Sequence, residues 1–119
     1  MSAEISYQMQ VLLNNDGLKD SFSSGSINAD QSVSGLIRNV QEIGITDEEI
    51  QLGDVSVPGF AVFQNLDDTN FVEIGVGSFN GFLKIGPGEI SGPIRLGTLS
   101  PRAQADSGAV KLFYIIYES

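Results

Sequence analysis

Apolar and polar residues alternate from Ile5 to Leu13: Ile5, Tyr7, Met9, Val11 and Leu13 fall at every second position, with Ser6, Gln8 and Gln10 between them. Successive side chains of a strand point to opposite faces, so the spacing predicts a strand whose five apolar residues line one buried face about 30 Å long. Asn14-Asn15-Asp16-Gly17 supplies turn chemistry, and a second strand is expected from Leu18 to Phe22. Residues 23–35 are rich in Ser and Gly, with only Ile27 and Val33 as large apolar anchors, and predict a loop or a weak edge strand. Val33, Leu36, Ile37 and Val40 also fit helical spacing, with Asp30 placed to cap it. Gly35 and the β-branched members favour a strand instead.

Thr46-Asp47-Glu48-Glu49 matches a capping box, yet Gly53 closes the segment after about one turn, so a turn leading into a strand is expected. Strands follow over 60–63 and 71–76, separated by the polar loop 64–70; in the second, Val72, Ile74 and Val76 share one face and Phe71 and Glu73 the other. Asn80-Gly81 predicts a two-residue hairpin turn into a strand over 82–85, with a longer glycine loop from Gly77 to Gly81 as the alternative, and Gly86-Pro87-Gly88-Glu89 predicts a tight turn into another strand over 90–96. Gly92-Pro93 interrupts that last strand. Proline cannot donate to a ladder, so this strand lies at an edge or carries a bulge. The strand 109–117 is apolar on both faces, Val110, Leu112, Tyr114 and Ile116 on one and Phe113, Ile115 and Tyr117 on the other, which predicts cover on both sides. Six to eight short strands without a long helix indicate an all-β fold, an antiparallel β-sandwich or jelly roll.

With 119 residues, residues 1–119 are expected to form a single domain. Six basic against fifteen acidic residues give a formal net charge of -9, whose field repels nucleic acid and anionic membranes and favours solubility through self-repulsion. Solubility is expected to be lowest near the sequence pI of about 4.1. The first residues, Met1-Ser2-Ala3-Glu4-Ile5, lack a positive region followed by an apolar one, and no apolar run approaches the roughly 20 residues that span a bilayer. Synthesis in the cytosol, with release by a route such as lysis, is the expectation.

The chain contains no histidine and no cysteine, so Ser-His-Asp and Cys-His nucleophiles, thiolate metal sites and histidine metal clusters are excluded. Carboxylate chemistry remains, and a glycosidase needs two carboxyls facing one another across a cleft. Glu73 and Glu89 are the pair to consider, but Glu73 reads as the solvent-facing member of an alternating strand and Glu89 as a turn residue. No enzyme and no cofactor are expected. Asn65-Leu66-Asp67-Asp68-Thr69-Asn70 offers a set of oxygens of the kind calcium takes, around Asp67 and Asp68, without EF-hand spacing; Asx turns explain the same residues better, and no metal is expected. Gly75-Val76-Gly77 and Gly86-Pro87-Gly88 lack the Lys-Ser/Thr and the helix of a phosphate loop.

Gly53-Asp54-Val55, Pro58-Gly59-Phe60, Asn65-Leu66-Asp67, Asn70-Phe71-Val72-Glu73-Ile74-Gly75, Phe82-Leu83-Lys84-Ile85, Pro87-Gly88-Glu89 and Val110-Lys111-Leu112-Phe113-Tyr114 follow one another in a linear pattern. In this pattern, which covers about half the chain between residues 53 and 117, the sequence resembles a family of small virion proteins of tailed bacteriophages. The resemblance implies a non-enzymatic structural protein of the particle, a capsid decoration or cement protein above all, with tail or connector placement as the variant. It implies the major capsid protein as partner; the apolar faces, which exceed what one sandwich must bury, add the expectation of a homo-oligomer, a trimer above all. Phe71, Phe82, Phe113 and Tyr117 are the candidate interface residues, because they add a second apolar face to strands that one sandwich core already uses. A carbohydrate-binding module is the second function class; the absence of tryptophan removes its usual stacking platform.

Overall fold

The computed structural model describes residues 4–31, 34–76, 81–96 and 100–119, which form twelve strands and no helix. Contacts divide the chain into two units, Met1–Gln31 and Ser32–Ser119.

The first unit is a long two-stranded ribbon. β2 (Gln10–Asn15) pairs antiparallel with β3 (Leu18–Ser23), and β1 (Ile5–Tyr7) with β4 (Ile27–Ala29). The turn between β2 and β3 has positive φ at both Asp16 (51°) and Gly17 (91°), the type I′ geometry whose twist suits a two-residue hairpin. Pairing slips by one residue between Tyr7↔Ile27 and Gln10↔Ser23, and the extra residue lies in Ser24-Gly25-Ser26, where Gly25 has a φ of 67°. This is a β-bulge. The Met9 N–H donates to Ser24 Oγ, and the Ser24 N–H to the Met9 carbonyl, each at 2.9 Å. With the bulge confined to the return strand, residues 5–13 keep their alternation and place Met9, Val11 and Leu13 on one face with Leu18 and Phe22. That face is not buried as the alternation alone predicts: Val11 is 53%, Leu18 63% and Phe22 54% exposed. A ribbon has one layer, and burying a face takes a second.

The second unit holds two four-stranded antiparallel sheets in the arrangement of a β-sandwich. The first has the order β10 (Ile90–Arg95), β7 (Pro58–Asn65), β12 (Val110–Glu118), β5 (Leu36–Ile43). The second has the order β6 (Glu48–Glu49), β11 (Pro101–Ala105), β8 (Val72–Val76), β9 (Leu83–Ile85). Every second side chain of each sheet enters one shared core: Ala61, Phe63, Leu112, Tyr114 and Ile116 from the first, Val72, Ile74, Ile85, Ala103 and Ala105 from the second. At about 25 cal/mol per Å² of apolar area removed from water, this core is the main source of stability. β12 is central in its sheet, as expected for a doubly apolar strand, and its Val110-Leu112-Tyr114-Ile116 face is fully buried. Its opposite face is only half-buried at Phe113, Ile115 and Tyr117, so the expected cover on both sides is incomplete.

The helical alternative over 33–40 gives way to β5, with Val33 outside the described residues. Phe79 and Asn80 also lie outside them; β8 and β9 pair antiparallel with Ile74 opposite Leu83, a register that fits the longer loop 77–81 and not a two-residue turn at Asn80-Gly81. β10 is both an edge strand and bulged, with a register shift between Ser91 and Ile94 around the cis Gly92-Pro93 bond. Gly92 has a φ of 107°, and a Cβ there would lie 2.6 Å from the Ala61 carbonyl oxygen. The other edge, β5, runs eight residues without proline or bulge. The Glu118 N–H donates to the Gly35 carbonyl, which makes 35 and 118 a hydrogen-bonded pair. By alternation, the backbone groups of Leu36, Arg38, Val40 and Glu42 point to the open side.

Candidate functional site

The motif steps that carry the resemblance meet in one turn cluster. Asn65, at the end of β7, is fully buried, and all its side-chain bonding goes to backbone: Nδ2 donates to the carbonyls of Asn70 (2.8 Å) and Ile85 (3.0 Å), and Oδ1 accepts the Asp67 N–H (2.8 Å). Its own N–H donates to the Glu89 carbonyl, and its carbonyl accepts the Gly88 N–H. Gly86-Pro87-Gly88-Glu89 closes with a Glu89 N–H to Gly86 carbonyl bond and a φ of 76° at Gly88, a type II turn. Asn65 thereby ties the loop after β7 to the turn before β10.

Asp67 closes the same loop from the other side. Its Oδ2 accepts the N–H groups of Thr69 (3.0 Å) and Asn70 (2.7 Å), which hold its carboxyl below the ordinary aspartate value. Asp68 Oδ1 accepts the Thr69 hydroxyl at 2.8 Å. The geometry is the Asx turn, in which Asn65 Oδ1, Asp67 Oδ2 and Asp68 Oδ1 accept from neighbouring donors. Among the described residues no three or more acidic, histidine or cysteine side chains are grouped to share an ion.

Glu73 and Glu89 lie in different settings. Glu89 Oε1 accepts the Gly86 N–H at 2.6 Å inside its own turn, while Glu73 stands opposite Lys84 across the β8–β9 ladder. A second polar cluster lies around Tyr114, whose hydroxyl donates to the Gln51 carbonyl at 2.6 Å and accepts from Asn39 Nδ2 at 3.1 Å. Burial pushes its phenol above the ordinary value, against the opposing effect of Asn39, so it stays neutral and anchors the chain beneath β5. A shallow depression of about 340 Å³ lies beside Lys19, Asp20 and Ser21 on β3, with no convergent set of reactive groups.

The sites left to consider are surfaces. The four candidate interface residues do not share one. Phe113 and Tyr117 lie on the outer face of the first sheet, whereas Phe71 and Phe82 face outward from the second. Lys84 Nζ sits 4.3 Å from the centroid of the Phe71 ring, which keeps that aromatic half-covered; Phe82 is 57% exposed. On the first sheet, register places Phe113 beside Val40, Ile115 between Arg38 and Val62, and Tyr117 beside Leu36. Leu36 (57%), Val40 (47%) and Ile90 (62%) are the exposed members of this face. None of these three was singled out from the sequence, although alternation along 36–43 separates Leu36 and Val40 from the buried side.

The same face is basic. Arg38, Arg95 and Lys111 belong to it, half of the six cations of the chain, with Glu42 as the carboxylate opposite Lys111. The guanidinium carbon of Arg95 lies 4.3 Å from the Phe60 ring centroid and that of Arg38 5.6 Å from that of Phe113, so both cations are laid over aromatic surface. Aromatic residues and arginines are enriched in contact surfaces. No family model matches this chain, nor does any curated protein or solved structure.

Proposed function

We propose that the protein is a non-enzymatic structural component of a tailed-phage virion, a capsid decoration or cement protein that works through the outer faces of its strands. The observation that carries this reading is the apolar outer face on which Leu36, Val40 and Ile90 are exposed and Phe113 is half-buried. The linear resemblance across 53–117 supplies the particle as its setting. In this setting Asn65, Asp67 and the Pro87-Gly88-Glu89 turn maintain the scaffold, and the sheet faces make the contacts with the major capsid protein or with further copies.

Immunogold labelling of particles made from a genome carrying this gene tests the assignment. Label on the head supports it, label on the tail or connector overturns capsid placement, and unlabelled particles overturn the virion reading. Phe82→Asp and Tyr117→Asp, one on each outer face, are expected to differ in co-sedimentation with those particles. Binding unchanged by both overturns the use of these faces.

A further inference from the structure

The ribbon of the first unit presents an exposed apolar face. Val11, Leu13, Leu18 and Phe22 lie together on that face, all exposed, with Asp20 directly opposite Leu13 and Asp16 in the turn at the tip. The single cation of residues 1–31, Lys19, is paired opposite Asn14 on the reverse face. An isolated two-stranded hairpin is marginal in water, so this element gains most from a surface that takes its apolar side.

The second unit carries a matching surface. The outer face of the β10-β7-β12-β5 sheet is apolar, and it gathers Arg38, Arg95 and Lys111 against Glu42 alone, while the rest of the chain carries fourteen of the fifteen acidic residues and only three cations. An acidic apolar ribbon and a basic apolar sheet complement one another in both properties. We infer that the β2–β3 hairpin of one copy docks on the outer face of the β10-β7-β12-β5 sheet of a second copy, with Val11, Leu13, Leu18 and Phe22 on Val40, Phe113 and Ile115, and Asp20 toward Arg38.

The contact joins two different patches. It therefore closes either as a reciprocal pair, in which each copy gives its hairpin to the other, or as a ring such as a trimer. The inference rests on the reading of the sheet's outer face as a contact surface, and it names the partner on that face as another copy of this chain.

The test is the mass of the full chain by light scattering and sedimentation velocity from micromolar to several hundred micromolar. The wild type is expected to associate. Phe22→Asp removes the donor and Val40→Asp the acceptor, each raising the dissociation constant roughly 10- to 100-fold. Both positions are exposed, and an unchanged circular dichroism spectrum shows that a variant is folded. Mixing the two variants is expected to restore association between one intact hairpin and one intact sheet. Asp20→Lys and Arg38→Glu each weaken association, and together they restore it. A wild type that stays monomeric throughout, or an oligomer that both single variants leave intact, overturns the inference. Particle co-sedimentation of the same samples separates the two readings, since a monomer that still binds particles sinks this inference and keeps the virion assignment.

Discussion

Replacing Asn65 by leucine keeps the branched outline of the side chain, with somewhat more volume, and removes all three of its hydrogen bonds, which makes it a direct test of what holds the second unit's turn cluster. The Ile85 carbonyl is buried and loses its donor outright, a cost of about 1–3 kcal/mol. The Asn70 carbonyl and the Asp67 N–H are part-buried, recover water in part, and cost about 0.5–1.5 kcal/mol each. The expected destabilisation is therefore about 2–6 kcal/mol, and 3 kcal/mol corresponds to a fall in Tm of about 12–24 °C for a unit of this size. Thermal unfolding followed by circular dichroism measures it. Asn65→Asp sharpens the test, because it keeps the acceptor for Asp67 but turns a carboxylate toward two carbonyls. That carboxyl will have a pKa raised above its unfolded value, so the variant's deficit should shrink as pH falls through the folded pKa. A fall of less than about 4 °C for Asn65→Leu, or a deficit in Asn65→Asp that does not shrink with acid, refutes the reasoning.

Two further outcomes follow from the backbone and the carboxylates. Gly92→Ala is expected to lose more than about 2 kcal/mol in urea unfolding, since its Cβ meets the Ala61 carbonyl at a positive φ, whereas Gly88→Ala, with positive φ but open space, should lose only about 1 kcal/mol; equal losses would show that the close approach at Gly92 is not felt. Asp67, held by the Asn70 and Thr69 N–H groups, and Glu118, held by the hydroxyl and N–H of Ser56, both have carboxyls below their ordinary values of 3.8 and 4.5. Folded values below unfolded ones mean that the stability they add is present above about pH 4.5 and is lost as pH falls through the folded pKa. In dilute solution, the Tm of the wild type should therefore drop more steeply below pH 4 than that of Asp67→Asn/Glu118→Gln; parallel curves would remove these two groups as the cause.

Much of the fold was legible because strand periodicity is local. β12 announces itself by its doubly apolar run, the β2–β3 turn by Asp16-Gly17, and the irregular edge strand by Gly92-Pro93. β11 was not legible: Pro101-Arg102-Ala103-Gln104-Ala105 has no large apolar residue, and Ala103 and Ala105 serve the core by being small enough for the opposite sheet to approach. β6 is two residues long, set by its pairing to β11 and by the Arg102–Asp47 ion pair at 2.8 Å, neither of which has a sequence period. The alternation from Ile5 to Leu13 gave the correct face and the wrong burial, since periodicity reports which side chains share a side and is silent on what lies against them. The candidate surface was half legible for the same reason. Aromatic residues drew attention to Phe113 and Tyr117, but the placement of Leu36 and Val40 beside them, and of Ile90 on the far side of β7, depends on strand order, β5 and β10 lying at opposite ends of the sheet.

The two ends of that sheet are unlike. At β10, the proline lacks an amide hydrogen and the bulge turns the backbone out of register, so a foreign strand finds no continuous row of partners there; β5 presents regularly spaced open donors and acceptors over its full length. Growth by backbone pairing can then proceed from one side only. Two copies could join β5 to β5 about a two-fold axis and would thereby exhaust both competent margins, leaving β10 as the terminus at either end. A one-sided sheet of this kind resists running on into a fibril.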